Sequence, residues 1–174
     1  YLPEGIGQSN GTVTVPMSIV TKAFDATLRW DAASGKILVQ RGSGALMSGD
    51  EFYNQDDLFW MSRVMYAEAG NQGLKGQMAV GNVVLNRVRS SQFPNTIYGV
   101  IFDKKFGVQF TPVANGTIYQ EPTAESVIAA KICLEGSDVS EGALFFLQPR
   151  LSTSSWIPSS RPYAFTIGGH DFYK

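Results

Sequence analysis

With 174 residues, of which 44% are hydrophobic and 17% charged, the chain has material for one sizeable core, or for one domain and a fragment. Fourteen basic residues against fifteen acidic ones give a net charge of −1, which argues against a nucleic-acid partner, and no apolar run approaches a membrane span, so membrane insertion is not expected. One histidine and one cysteine in the whole chain argue against a zinc hydrolase, which needs three protein ligands, and rule out an internal disulfide.

Residues 1–44 read as a short β-rich segment. Thr12 to Val15 alternate as a strand that stops at Pro16, and Ser18 to Phe24 suit a short helix. Thr27 to Asp31 and Ile37 to Gln40 predict two strands joined by a turn over Ala32 to Gly35, with Leu28 and Trp30 on one face. Gly42 to Asp50 is small and polar, and residues 45–55 are the expected linker.

The remainder, 56–174, is expected to form an α+β domain. Asp56 is the predicted N-cap of its first helix, with Asp57 in the first turn. A second helix runs from about Lys75 to Arg89 on Met78, Val80, Val84 and Val88. Gly81 inside it costs about 1 kcal/mol relative to Ala, and points to a backbone or ligand passing close by. Pro94 and Asn95 introduce a short helix with Asn95 as cap and Ile97, Val100 and Ile101 inward. Val108 to Val113 is expected to be extended, with Asn115-Gly116 as a hairpin turn. Thr123 caps a helix that runs to Glu135 and stops at Gly136. Its Val127, Ile128, Ile132 and Leu134 are assigned to the core, and Cys133 among them reads as a small core residue. Ala143 to Leu147 is a strand, and Ser152 to Arg161 a polar loop holding Trp156. Tyr163 to Ile167 and His170 to Tyr173 form a last hairpin around Gly168-Gly169.

The residue with the most chemical promise is Glu68. Leu58, Met61, Met65 and Glu68 follow one another at spacings of three, four and three, which place them on one helix face. Gly70 is the expected C′ residue, so Glu68 falls in the last turn. Apolar surroundings and the partial negative charge of a helix C-terminus both disfavour the ionised form. A carboxyl kept protonated near neutral pH is what a general acid requires. Spacing alone leaves open that Glu68 snorkels to solvent at a frayed helix end.

The stretch YAEAGNQGLKGQMAVGNVVLNRVRSSQFPNTIYGVIF resembles the core motif of the spore cortex-lytic and cell-wall hydrolase family (the SleB and CwlJ type). The likeness continues through FGVQFTPVANG, ALFFLQP, SSWIPSSRP and IGGHDFY, in the order the family shows, from about Asp56 to Lys174. It implies a lysozyme-like or lytic-transglycosylase-like helical core with a small antiparallel sheet lining a groove. It also implies that the Glu of YAEA, here Glu68, is the catalytic acid. Candidate substrate-binding residues are Tyr66 of the same motif, Asn86, Gln109, Phe110, Trp156 and His170. For each a plainer role stays open: Asn86 and Arg87 on a solvated face, Phe110 in the core, Gln109 toward solvent, Trp156 and His170 in packing. The family shows Asn-Pro where this chain has Gln148-Pro149, so no role is assigned to Gln148. The hairpin TLRWDAASGKILVQ resembles the end of the copper amine oxidase N-terminal-like module. Copper is not implied, because the segment has neither His nor Cys.

No cofactor or metal is expected. A Cys-His peptidase would need Cys133, which sits on an apolar helix face, and no nucleophile elbow of the G-x-S-x-G kind is present. Acid chemistry at a glycosidic bond remains. Glycosidases ordinarily use two carboxyls, and Glu121, Glu125, Asp138 and Glu141 all lie in polar turns or first helical turns. One acid suffices where the substrate supplies the nucleophile, as the 6-hydroxyl of N-acetylmuramic acid does in lytic transglycosylases. The resemblance implies that the partner is the peptidoglycan glycan strand, and the expected enzyme is a monomer that acts, secreted, in the cell wall or spore cortex. The sequence opens at Tyr1 without a signal peptide, as either a processed secreted protein or a trimmed piece of a longer chain would. The alternatives are a muramidase that uses water and an unseen second carboxylate, and a binding module that has lost the chemistry.

Overall fold

The first of two compact units, Tyr1–Asn54, is built from two hairpins and a helix. The computed structural model describes residues 7–9, 12–42, 49–105, 107–152 and 155–174. Strand β1 (Gly7–Ser9), not foreseen in the sequence, pairs antiparallel with β2 (Thr12–Thr14). Pro16 then leads into α1 (Met17–Ala23). Strands β3 (Thr27–Asp31) and β4 (Lys36–Gln40) form the expected hairpin, with Trp30 opposite Ile37 and Leu28 opposite Val39. Asp31 accepts a hydrogen bond from Ser34 across the turn, and Gly35 takes the left-handed conformation (φ 62°) that an L side chain resists. Of the expected linker, residues 45–48 lie outside those described, and Gly49–Phe52 is a 3₁₀ turn.

The second unit, Gln55–Lys174, packs α2 (Gln55–Ala69), α3 (Leu74–Arg89) and α6 (Ala124–Leu134) against one another. Met61, Val64 and Met65 of α2, Ala79, Val80, Val83 and Val84 of α3, and Ala129 and Ala130 of α6 are fully buried. Each large aliphatic or Met side chain so removed from water contributes roughly 1.5–3 kcal/mol. Helix α2 starts two residues earlier than expected, at Gln55, so Asp56 is not its cap but joins Asp57 in the first turn. Gly70 is not left-handed either. Its N–H continues the ladder to the Tyr66 carbonyl at 2.8 Å, and a Cβ there would lie 2.7 Å from the Tyr66 ring.

Gly81 is explained by side chains rather than by a backbone or ligand. A Cβ on it would sit 2.7 Å from Met65 Sδ and 3.2 Å from Cys133 Sγ, at the point where α2, α3 and α6 meet. Both neighbours are buried, so admitting the methyl requires them to shift within a packed interior. Gly81→Ala is therefore expected to destabilise by about 1–3 kcal/mol despite its better helix propensity, a loss that denaturant unfolding would read directly.

The same close approach corrects the reading of α6. Its buried face is Ser126, Ala129, Ala130 and Cys133, whereas Ile128 is 52% exposed. Small residues let the helix approach α3, and Ser126 Oγ donates to Gln77 Oε1 at 2.6 Å in the interior. Leu134 is buried as expected, but Val127 and Ile132 are only half-buried. Thr123 is the cap, its hydroxyl accepting from the Ser126 N–H. At α4 (Ile97–Ile101) the cap is Thr96 rather than Asn95.

Two loops expected to be irregular or extended are short helices. Residues 111–115 form α5 (Thr111–Asn115), not a strand. Pro112 fits the first turn of a helix, where its missing N–H costs nothing, and Gly116 (φ 81°) ends the helix as a left-handed cap rather than turning a hairpin. A 3₁₀ turn, Thr117–Tyr119, follows. Later, Trp156–Ser160 forms α7. Strands β5 (Phe145–Leu147), β6 (Tyr163–Ile167) and β7 (His170–Tyr173) make an antiparallel sheet in the order β5-β7-β6. The unit is thus α+β, as expected.

Helices and sheet share a core of Ala69, Ala79, Val80, Val83, Ala143 and Phe172. Polar ties join the two layers as well. Gln72, between α2 and α3, accepts the Gly169 N–H in the β6–β7 turn at 3.1 Å. At the other end of α3, Asn86 Nδ2 donates to Ser140 Oγ (2.8 Å) and the Ala143 carbonyl (3.0 Å), and Arg87 Nε donates to the Leu144 carbonyl (2.7 Å).

Candidate active site

A cavity of about 1250 Å³ opens between the helical layer and the sheet. Glu68 and Arg87 come from the C-terminal ends of α2 and α3. Asp103 and Lys105 follow α4, Gln109 precedes α5, and Phe146, Gln148, Trp156, Arg161 and His170 come from the sheet side.

Glu68 is half-buried in this wall. Burial pushes its carboxyl from the ordinary 4.5 up to about 7, and the positive charge of Arg87 opposes that rise. Desolvation therefore outweighs the cation. Arg87 is itself only 5% exposed. Burial pushes it down to about 10, while Asp103 and Glu68 pull it back up. Its guanidinium lies over the rings of Phe93 (4.9 Å), Phe110 (5.3 Å) and Phe145 (5.5 Å), and its Nη1 is buried without a partner. The site thus pairs a carboxyl held protonated near neutral pH with a desolvated cation able to receive its negative charge.

A general acid of this kind works only while protonated. The pH profile of kcat/KM is expected to fall about tenfold per unit above a limb near 7. A limb near 4.5 would show that Glu68 is not desolvated in solution.

The sequence candidates divide. Gln109 and Trp156 line the cavity, Trp156 54% exposed at the start of α7. His170 lines it too but is 1% exposed. Gln148 Nε2 donates to His170 Nε2 at 3.0 Å, which places the ring proton on Nδ1, a buried atom with no partner. Burial holds the ring below its usual pKa and so neutral. Phe110 is 1% exposed and packs beneath Arg87 and against Phe146, so it presents no ring face to a sugar. Tyr66 and Asn86 are not part of the cavity wall. Asn86 and Arg87 are not a solvated pair: the first braces the loop before β5, and the second is a site residue.

Asp103 was missed. It lines the same cavity, and its Oδ1 accepts the Lys105 N–H at 2.9 Å. A carboxylate just past a short helix looks like an ordinary turn residue in sequence, and only the fold brings it to Arg87. Cys133 is buried and its thiol pushed up to about 12, which suits packing and not nucleophilic work. Among the described residues no cluster of His, Cys, Asp and Glu could hold a metal ion, and no helix is long and apolar enough to cross a membrane.

Comparison with known proteins adds the following. Residues 71–173 match the cell wall hydrolase family. A spore cortex-lytic enzyme of Oceanobacillus iheyensis is 40% identical over 122 residues, 70% of this chain and 43% of that protein. One of Bacillus cereus is 40% identical over the same length, 46% of its own. The chain thus spans less than half of these curated relatives. Among solved structures, the catalytic domain of the germination-specific lytic transglycosylase SleB from Bacillus anthracis aligns with a TM-score of 0.64 at 39% identity, over 74% of this chain and 100% of that one. The catalytic domain of Bacillus cereus SleB gives 0.62 at 38% identity, over 76% and 100%.

Proposed function

From the premise that this chain belongs to the cell wall hydrolase family, we propose that it cleaves peptidoglycan glycan strands between N-acetylmuramic acid and N-acetylglucosamine as a lytic transglycosylase. The carrying observation is Glu68, half-buried in the cavity wall with its carboxyl pushed up to about 7. Glu68 gives its proton to the glycosidic oxygen as the bond to the muramic anomeric carbon breaks. The leaving sugar departs with a free hydroxyl. The carboxylate left behind then takes the proton of the muramic 6-hydroxyl as that oxygen bonds to the anomeric carbon. Glu68 ends protonated, no water is consumed, and the product is a 1,6-anhydromuramic end.

Arg87 stabilises the transient carboxylate, and Gln109 and Trp156 hold the sugars, an amide for an N-acetyl group and a ring for a sugar face. On this reading the protein acts as a monomer, a state that size-exclusion chromatography with light scattering would check. Residues 1–44 act as an accessory segment, and 56–174 carry the chemistry. The relatives named above are spore cortex-lytic enzymes, which makes cortex peptidoglycan, outside the cytoplasm, the first substrate to try.

Asp103 supports one rival. As a second carboxyl in the cavity it could activate water and turn the protein into a muramidase. Mass spectrometry of digests of purified cortex and of vegetative sacculi decides between them. Anhydro ends are expected; reducing ends would establish the muramidase, and no release from either substrate would sink both.

A further inference from the structure

Outside the cavity, five aromatic rings converge on one surface of the second unit. Trp60 of α2 is the hub. Its ring meets Phe59 (4.9 Å), Tyr98 (5.5 Å), Phe102 (4.9 Å) and Tyr119 (6.2 Å) between centroids, each near edge-on. Tyr98 stacks on Phe102 at 4.5 Å. Edge-to-face and offset pairs of this kind hold rings rigidly in place. Yet Tyr119 is 64% exposed, Tyr98 54% and Phe59 42%. A cluster meant only to seal helices together would bury its rings. This one fixes two tyrosines and leaves them facing outward.

The placement of these rings says what they meet. Phe102 immediately precedes Asp103, a cavity-wall residue, and Tyr119 stands two residues after Thr117, another. Along the chain the cluster therefore adjoins two segments that contribute residues to the cavity wall. A glycan strand is a polymer and runs on past whatever the cavity holds. Its sugar rings have flat C–H faces that pack on aromatic rings, and Tyr combines such a face with a polar tip tolerant of water. The charged groups beside the rings are already engaged, Arg63 with Glu121 at 2.7 Å and with the Phe59 face at 3.7 Å. That leaves stacking rather than charge as the means of recognition.

We propose that Tyr98 and Tyr119, braced by Trp60, form an outlying sugar-stacking platform that binds the N-acetylated glycan strand beyond the bond being cut. The proposal rests on the function proposed above, and it makes long strands better substrates than short ones.

The test uses the double variant Tyr98→Ala/Tyr119→Ala and its conservative partner Tyr98→Phe/Tyr119→Phe, on the full chain. Substrates are isolated glycan strands and the shortest fragment that the unmodified protein cleaves. The Ala pair is expected to raise KM on long strands about tenfold, ~1.4 kcal/mol, with kcat nearly unchanged and the shortest fragment cleaved as before. The Phe pair keeps the ring faces and should restore most of the loss. An equal loss on short and long substrates, or none on either, overturns the platform. If the unmodified protein cleaves nothing, the function above is wrong and sedimentation with insoluble glycan strands becomes the readout. Binding lost in the Ala pair and kept in the Phe pair still supports the platform; unchanged binding in both refutes it.

Discussion

Glu68→Gln is expected to abolish lysis while leaving the fold intact. The amide keeps the size of the side chain but has no acidic proton for the leaving oxygen. General acid-base catalysis is typically worth 10²–10⁴-fold, roughly 3–5 kcal/mol of barrier, and Glu68 serves in both half-reactions, so the loss should reach the upper end. Stability should respond in the opposite sense, and with pH. The folded carboxyl titrates near 7, above its ordinary 4.5. Stability present below pH 4.5 is therefore lost as pH rises through 7, because the fold penalises the ion. Gln has nothing to ionise. Melting temperature should match the unmodified protein at pH 4 and exceed it at pH 8. Glu125→Gln, exposed in the first turn of α6, and Glu141→Gln, on an exposed turn, are controls that should retain activity. Wild-type turnover in Glu68→Gln, with loss in either control, would move the acid elsewhere.

Arg87→Ala should be nearly as damaging, by two separable routes. It leaves the Leu144 carbonyl without its 2.7 Å donor and opens a void among Phe93, Phe110 and Phe145. An unpaired buried acceptor plus a cavity costs about 3–5 kcal/mol. The catalytic route concerns Glu68. Arg87 is what restrains the rise of that carboxyl, so its removal should push the alkaline limb of the activity profile above 7. Activity at neutral pH should also fall about 10–100-fold, since the carboxylate formed on proton transfer loses its counter-charge. Arg87→Lys keeps charge but not the fixed fork, and should recover the limb more than the stability. A limb that stays put in Arg87→Ala while the protein merely melts earlier would reduce Arg87 to a structural residue.

What the sequence made legible follows from periodicity. Leu58, Met61 and Met65 marked the buried stripe of α2, and Glu68 followed from them. The same arithmetic applied to α3 would have found Arg87, which follows Val80, Val83 and Val84 at spacings of seven, four and three and is buried with them. Charge alone leaves a terminal Asn-Arg pair free to face solvent, whereas its position on the stripe buries Arg87. Periodicity failed on α6, where eight of eleven residues are apolar and no stripe stands out; Ile128 faces outward because the neighbouring helices admit small side chains, Ala129, Ala130 and Cys133, on the buried face. The α5 segment is ambiguous in sequence because Asn-Gly suits both a hairpin and a left-handed helix end, and Pro112 in the first turn is what favours the helix. Asp103 had no local signal at all. Its place in the cavity depends on α4 packing across α2 and α3, a long-range outcome.

The ties between the helical layer and the sheet bear on how a polymer is handled. Gln72 pins the β6–β7 turn at one end of α3, and Asn86 with Arg87 pins the approach to β5 at the other. Ties at both corners resist closure of the cavity. On the function proposed above, more of the conformational adjustment then falls on the glycan strand, which bends or puckers to seat the scissile bond against Glu68. Tension in a cross-linked wall, which straightens or slackens the strands, would then govern how readily a given bond is cut.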